Sequence, residues 1–272
     1  MKHILVHLDA SPRAAVRLAL AQQLARQHGA RVTTLYGVLP TLVSSPWLAA
    51  EVSGSAAALL ADLDRTQRER ALACYAQAAS RAPLDWVDGG DAPAWSLLQH
   101  ALYADLVVLG QADPDDGLSG PLPPDLLPGT LLDSGRPTLL VPKVGVPEAL
   151  PQRVLVAWKP SRESARAVIA ALPWLRQAQA VHLAVQSDPD DGNLRRGPAL
   201  AQWLQLHGIA SVQVHELGSG HVGESLLSMA TDHGAGLLVM GGYGHSRARE
   251  WVLGGATRTI LQSMTLPVLM VH

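Results

Sequence analysis

Residues 236–244 read Gly236-Leu-Leu-Val-Met-Gly-Gly-Tyr-Gly244, and after nine further residues comes Gly254-Gly-Ala-Thr257. The run Leu237–Met240 is apolar without alternation, the pattern of a strand buried on both faces of a parallel sheet. The glycines end that strand and lead toward a helix that starts near Gly255. At the carboxyl end of a parallel strand, a glycine turn lets backbone N–H groups approach a ligand closely. The following helix N-terminus adds partial positive charge, so phosphate is the natural guest. The loop holds one acid, Glu250, against His245, Arg247 and Arg249. It is no P-loop, because no Gly-Lys-Ser/Thr follows, and as a dinucleotide fingerprint it lacks a third glycine at Arg247. The plainer reading, in which the glycines only end a strand and permit tight packing, stays open on these residues alone.

The same sequence of events occurs earlier in the chain. Asp105-Leu-Val-Val-Leu-Gly110 matches Gly236-Leu-Leu-Val-Met-Gly241, and Arg136-Pro-Thr-Leu-Leu-Val-Pro142 matches Leu266-Pro-Val-Leu-Met-Val-His272. A third pair opens the halves: His3-Ile-Leu-Val-His-Leu-Asp9 against Arg153-Val-Leu-Val-Ala-Trp-Lys159. The offsets are 131, 130 and 150 residues, the pairs follow one another in the same order in both halves, and the offsets differ only by loop length. Three ordered pairs argue for duplication. Two domains follow, 1–143 and 151–272, joined by a Gly- and Pro-containing linker over 144–151.

Within each half, apolar runs alternate with helical stretches. The first half predicts strands at 2–8, 31–38, 84–88, 105–110 and 137–142. Its helices fall over 12–28, 55–81, 92–103 and 123–134. In the first helix Val16, Leu20 and Leu24 recur at steps of four, with Ser11 as N-cap and Pro12 at the first helical position. The second half predicts strands near 153–158, 180–186, 211–216, 236–241 and 267–271. Pro173 is expected to bend the helix that contains it. The pattern is that of parallel sheets covered by helices on both faces.

Composition narrows the function classes. The chain has 272 residues, 48% of them apolar, 16% charged, and a formal charge of -2. That gives no global attraction to nucleic acid or acidic lipid. With no Phe, the cores must use Leu, Val, Ala and some of the seven Trp. The lone Cys74 excludes an internal disulfide and fits a reducing cytoplasm. The apolar start Ile4-Leu5-Val6 is cut short by His7 and Asp9, too soon for a signal peptide. The uncharged stretch Val32–Ala50 contains Pro40, Pro46 and several hydroxyl residues, so it reads as a buried strand entering a loop and not as a membrane span.

Gly-x2-Gly-x9-Gly resembles the signature of the universal stress protein family, and Met240-Gly-Gly-Tyr-Gly-His-Ser-Arg247 is similar to its second-domain form in tandem bacterial members. Arg136-Pro-Thr-Leu-Leu-Val-Pro142 and Ser161-Arg-Glu-Ser-Ala-Arg-Ala167 resemble those members too. The resemblance implies an α/β fold with two doubly wound, open, parallel five-stranded sheets of order 3-2-1-4-5, like the adenine-nucleotide alpha-hydrolases. It implies a stress-response role without a defined reaction, and for some members ATP or AMP at the glycine loop. Carried over by position, the phosphate cradle is Gly241, Gly244, Gly254, Gly255 and Ala256, with Met240 and Val185 near the nucleoside. The family places Ser or Thr after the third glycine, where this chain has Gly255; Thr257 is the nearest hydroxyl. The family's Asp after the first strand is Lys159 in the second half. The first half keeps that Asp as Asp9, yet Gly110-Gln-Ala-Asp113 lacks the second glycine and puts a carboxylate where phosphate would lie. Nucleotide is therefore expected in the second domain alone, with protein partners carrying the output.

The resemblance also implies a pseudo-dimer. The last strands, Thr138–Val141 and Val268–Val271, are apolar edge strands in the inferred order, and such edges invite antiparallel pairing.

Other constellations weigh less. Asp113-Pro-Asp-Asp-Gly117 and Asp188-Pro-Asp-Asp-Gly192 lack the alternating ligands of an EF-hand and read as solvated turns. His3 and His7 stand about 13 Å apart along an extended strand, too far to share an ion. Arg65, Arg68 and Arg70 among Asp62, Asp64 and Glu69 form a solvated helix face. No Gly-x-Ser-x-Gly elbow marks a hydrolase. The rival function is a nucleotide-hydrolysing enzyme on the same kind of sheet.

Overall fold

In a computed structural model of the chain, residues 1–45, 47, 51–113, 116–145, 152–186, 196–218, 220–243 and 255–272 are described. The first repeat runs β1 (His3–Leu8), α1 (Ala14–His28), β2 (Arg31–Tyr36), α2 (Thr41–Ser44), α3 (Gly54–Ala79), β3 (Asp85–Asp88), α4 (Pro93–Ala101), β4 (Leu106–Gly110), α5 (Leu126–Asp133) and β5 (Thr138–Val141). The second runs β6 (Arg153–Trp158), α6 (Arg162–Leu175), β7 (Ala180–Gln186), α7 (Arg196–Leu206), β8 (Val212–Leu217), α8 (Val222–Asp232), β9 (Leu237–Gly241), α9 (Gly255–Ser263) and β10 (Val268–Val271).

The strands order as β3-β2-β1-β4-β5 in the first repeat and β8-β7-β6-β9-β10 in the second. Each is the expected 3-2-1-4-5. β1 runs parallel to β2 and β4, and β6 parallel to β7 and β9. The strands are apolar because both faces are covered: Ile4, Leu5, Val6, Val154, Leu155 and Val156 are wholly buried. Each such Leu or Val contributes about 1.5–3 kcal/mol by leaving water. The duplication reaches individual hydrogen bonds. Val107 N–H donates to Pro137 O and Leu238 N–H to Pro267 O, both at 3.0 Å.

The chain divides into two compact units, Met1–Thr138 and Leu139–His272. No helix among the described residues is long and apolar enough to cross a membrane. Val32–Ala50 begins as the buried strand β2, then turns into the short α2 after Pro40. α6 runs through Pro173, which lies in its last turn.

One capping expectation is corrected. α1 begins at Ala14, and Ser11 does not cap it; its hydroxyl instead donates to Asp9 Oδ1 at 2.6 Å. The neighbouring carboxylate is buried and charged, so the charge-assisted bond to it fixes the orientation of the Ser11 hydroxyl. In the second unit the equivalent Ser161 does cap α6, accepting from Ser164 N–H at 3.2 Å. There the residue in the position of Asp9 is Lys159.

Candidate functional site

Strand order reverses at β6, between β7 on one side and β9 on the other, and ligands of open parallel sheets bind outside the carboxyl ends at such a point. Val185 lies there on β7, paired in register with Trp158, the last residue of β6. Met240 and Gly241 end β9. Val185 and Met240 are both buried. Ala256 and Thr257 open α9, where Thr257 is buried and Gly255 is exposed, with nothing near the place a Cβ would take. α9 is held down by a close approach to α8: a Cβ on Gly223 would fall 3.1 Å from Ala256 O. Gly244 and Gly254, both expected in the cradle, lie outside the described residues, as do His245, Arg247 and Arg249.

Two glycines of the turn have a packing role. A Cβ on Gly241 would stand 2.7 Å from Ser164 N and 2.9 Å from the carbonyl carbon of Glu163, so the end of β9 is pressed against the first turn of α6. Gly242 is buried against Met270 and donates its N–H to Val271 O at 2.8 Å. Tyr243 then takes φ 57°, a left-handed conformation that a side chain adopts at a cost of about 1–2 kcal/mol. Glu163 is buried in the same turn and accepts from Arg162 Nε at 2.6 Å. Burial pushes its carboxyl pKa up, but the hydrogen bonds from Arg162, its own N–H and Ser161, with the charge of Arg162, hold it below the usual range.

Ala165 and Val168 of α6 line an apolar cleft of about 560 Å³ together with Trp158, Pro160, Leu200 and Trp203 among others. The composition calls on some of the seven Trp for the cores. Here two of them line a cleft, while Trp86 packs with Tyr36 and Tyr75, and Trp174 is buried.

The first unit is built differently at the equivalent place. Asp9, which follows β1, is buried and forms an ion pair with buried Arg17, Nη2 to Oδ1 2.7 Å. It also accepts from Ser11 N–H at 3.0 Å, and Arg17 Nε donates to His7 O at 3.1 Å. Burial raises the Asp9 pKa, yet the charges of Arg17 and His7 and the Ser11 hydrogen bond together hold it below the usual range. His7, with Nδ1 4.0 Å from Asp9, is pushed down by burial, with Arg17 adding to the fall and Asp9 and the Gly37 carbonyl opposing it. A Cβ on Gly110 would stand 2.6 Å from Arg17 Nη1, so the guanidinium covers the end of β4. The carboxylate in the position of the family's Asp is thus already engaged.

The step of four along α1 falls on Val16, Leu20 and Leu24 and passes over Arg17, the residue that occupies this end of the first sheet. The signal lay in the repeat. With the offset of 150 that relates Asp9 to Lys159, Arg17 corresponds to Ala167, so both members of the ion pair change together.

Comparison with known proteins agrees with this architecture. The profile of the universal stress protein family matches residues 1–120 and 151–272. Universal stress protein Slr1230 of Synechocystis is 41% identical over 54 residues, a stretch covering 20% of this chain and 19% of that protein. Among solved structures, a universal stress protein from Archaeoglobus fulgidus superposes with a TM-score of 0.73 at 18% identity, covering 99% of this chain and 95% of that one. The functionally unknown protein PA1789 of Pseudomonas aeruginosa gives a TM-score of 0.63 at 16% identity over 100% of this chain and 92% of its own. At these identities the two structures speak for the fold, while the two matched segments speak for descent: the chain belongs to the universal stress protein family and carries its domain twice.

Proposed function

We propose that this protein acts by binding and not by turnover, holding ATP or AMP at the carboxyl end of the second sheet and passing the signal to protein partners in a cytoplasmic stress response. The observation that carries this reading is the difference between the units. Asp9 and Arg17 fill the end of the first sheet, whereas Lys159 and Ala167 stand at the same places in the second. The phosphates are assigned to Gly244, Gly254, Gly255, Ala256 and Thr257, with Gly241 fixing the strand end that leads to them. A planar apolar base suits the cleft beside Trp158 and Leu200. Hydrolysis would want a metal-binding carboxylate beside the phosphates, and Lys159 stands near that place instead.

Titration of the full chain with ATP and AMP tests this. Gly255→Glu is the informative variant: an acid at a helix N-terminus favours the helix, yet it repels phosphate at the same spot. Binding is expected to weaken at least about tenfold, or 1.4 kcal/mol, with thermal stability kept. A wild type without affinity up to millimolar nucleotide would leave a ligand-free interaction module. Phosphate release from Mg-ATP that this variant abolishes would favour the hydrolase reading instead.

The two repeats are further taken to work as an intramolecular pair. Residues 1–143 expressed alone should then self-associate through the bare strand Thr138–Val141. A clean monomer at high concentration would count against the pairing.

A further inference from the structure

Three histidines of the second unit converge well away from the glycine turn. His182 is the third residue of β7 and His215 the fourth of β8. Ala184 pairs with His215 in register, so His182 and His215 share a face two residues apart along the ladder. His233 closes the carboxyl end of α8 and brings its ring within 4.4 Å, centroid to centroid, of both. His182 Nδ1 and His215 Nε2 are 3.0 Å apart, and one nitrogen from each of the three rings lies within 4.8 Å of the others. His182 is buried, and the other two are half-buried. β8 ends the strand order of its sheet, so the cluster is reached from an edge.

The fold itself does not call for histidine here. Strand registers place Thr33 and Val87 of the first unit where His182 and His215 stand. Leu102 closes α4 as His233 closes α8. The first unit therefore builds the same corner with one hydroxyl, which meets His3 Nε2 at 2.8 Å, and two aliphatic side chains.

One nitrogen of each ring lies within 4.8 Å of the others, and the His182–His215 contact is a hydrogen bond between imidazoles that a bound ion would replace. Zinc bonds to histidine nitrogen at about 2.0–2.1 Å, and a tetrahedral set of such ligands places the nitrogens about 3.3 Å apart. One pair is already near that separation, and small side-chain rotations bring in the third. Burial, with the neighbouring histidines and Arg153 as lesser contributors, lowers the His182 pKa; burial and His233 lower that of His215. No carboxylate belongs to the cluster among the described residues, which disfavours the oxygen-seeking Ca²⁺ and Mg²⁺. Arg153 donates to His233 O at 3.3 Å and opposes additional positive charge, so the affinity expected is moderate.

We propose that His182, His215 and His233 form a three-histidine site for one divalent ion of the zinc class, with the fourth position open to water or to a donor atom of another molecule. The site lies on β7, β8 and α8 and stands independently of the nucleotide reading.

Untagged full-length protein titrated with Co²⁺, and then Zn²⁺ in competition, tests it. The expected result is one ion per chain, with the intense visible absorption of tetrahedral cobalt that zinc then removes. His182→Gln, His215→Gln and His233→Gln should each weaken binding at least about tenfold. His207→Gln, at a ring that packs on Trp203 outside the cluster, should leave it unchanged. Native mass spectrometry gives the stoichiometry. Absence of a retained ion at micromolar metal overturns the site, as does a loss of binding shared equally by His207→Gln. Should the buried His182 variant fail to fold, the half-exposed His215 variant and the wild-type titration decide alone.

Discussion

Replacing Arg17 with Met is expected to destabilise the first unit by about 3–5 kcal/mol, because it strands the Asp9 carboxylate in a dry site. Both side chains are about 95% or more buried, and their 2.7 Å contact is backed by Ser11 on one side and by the His7 carbonyl on the other. Asp9→Asn combined with Arg17→Met removes both charges and should recover a large part of that loss, although His7 O still loses its donor. The pH dependence gives a second check. In the wild type, His7 has a pKa below 6.5, so the unfolded chain binds more protons and stability falls as pH drops through 6.5. Without Arg17 one of the two influences that lower the His7 pKa is gone, so the imidazole protonates more readily than in the wild type and partly replaces the lost guanidinium beside Asp9, although burial still opposes it. The gap between variant and wild type should therefore narrow from pH 7.5 to 5.5. It should narrow again below 3.8, where the wild-type Asp9, with its lowered pKa, gives up the contribution of its pair with Arg17. Chemical denaturation at several pH values measures both effects. A deficit under 1 kcal/mol, or one that widens toward pH 5.5, would mean that the pair is hydrated in solution.

The fold was legible because its signals are local. Uninterrupted apolar runs such as Ile4–Val6 and Leu237–Met240 set the strands, glycine at their ends set the turns, and the three ordered pairs set the duplication. What remained hidden depends on residues that meet only across strands or helices. Arg17 reads as a charged interruption of an α1 face until Asp9, eight positions earlier, is seen beneath it. His182, His215 and His233 are 33 and 18 residues apart, a spacing that matches no metal motif, and only the register of β7 and β8 with the end of α8 assembles them. Ser11 shows the converse failure. Serine just before a helix is a sound capping signal, but the rule takes no account of a buried acceptor two residues away.

Adjacent glycines in the turn should respond very differently to the same added methyl group. Neither Gly241 nor Gly242 has a positive φ, so backbone strain is not at issue and only space decides. At Gly241 a Cβ meets backbone, Ser164 N at 2.7 Å and the Glu163 carbonyl carbon at 2.9 Å, on a helix start fixed by the Ser161 cap. Relief requires β9 or α6 to move, so Gly241→Ala is expected to cost about 1–3 kcal/mol. At Gly242 the obstacle is the Cγ and Sδ of Met270, both at 2.9 Å. A thioether chain has rotamers to spare, and Gly242→Ala should cost less than about 1 kcal/mol. The functional consequence follows from α6 itself, since the turn that Gly241 touches leads directly to Ala165 and Val168 in the apolar cleft. Gly241→Ala should therefore weaken nucleotide binding by displacing α6, while Gly242→Ala leaves it nearly intact. Thermal melts and nucleotide titrations of the two variants side by side settle the point. Equal tolerance of both would show that β9 and α6 separate easily, returning Gly241 to the role of a backbone kept bare for a ligand.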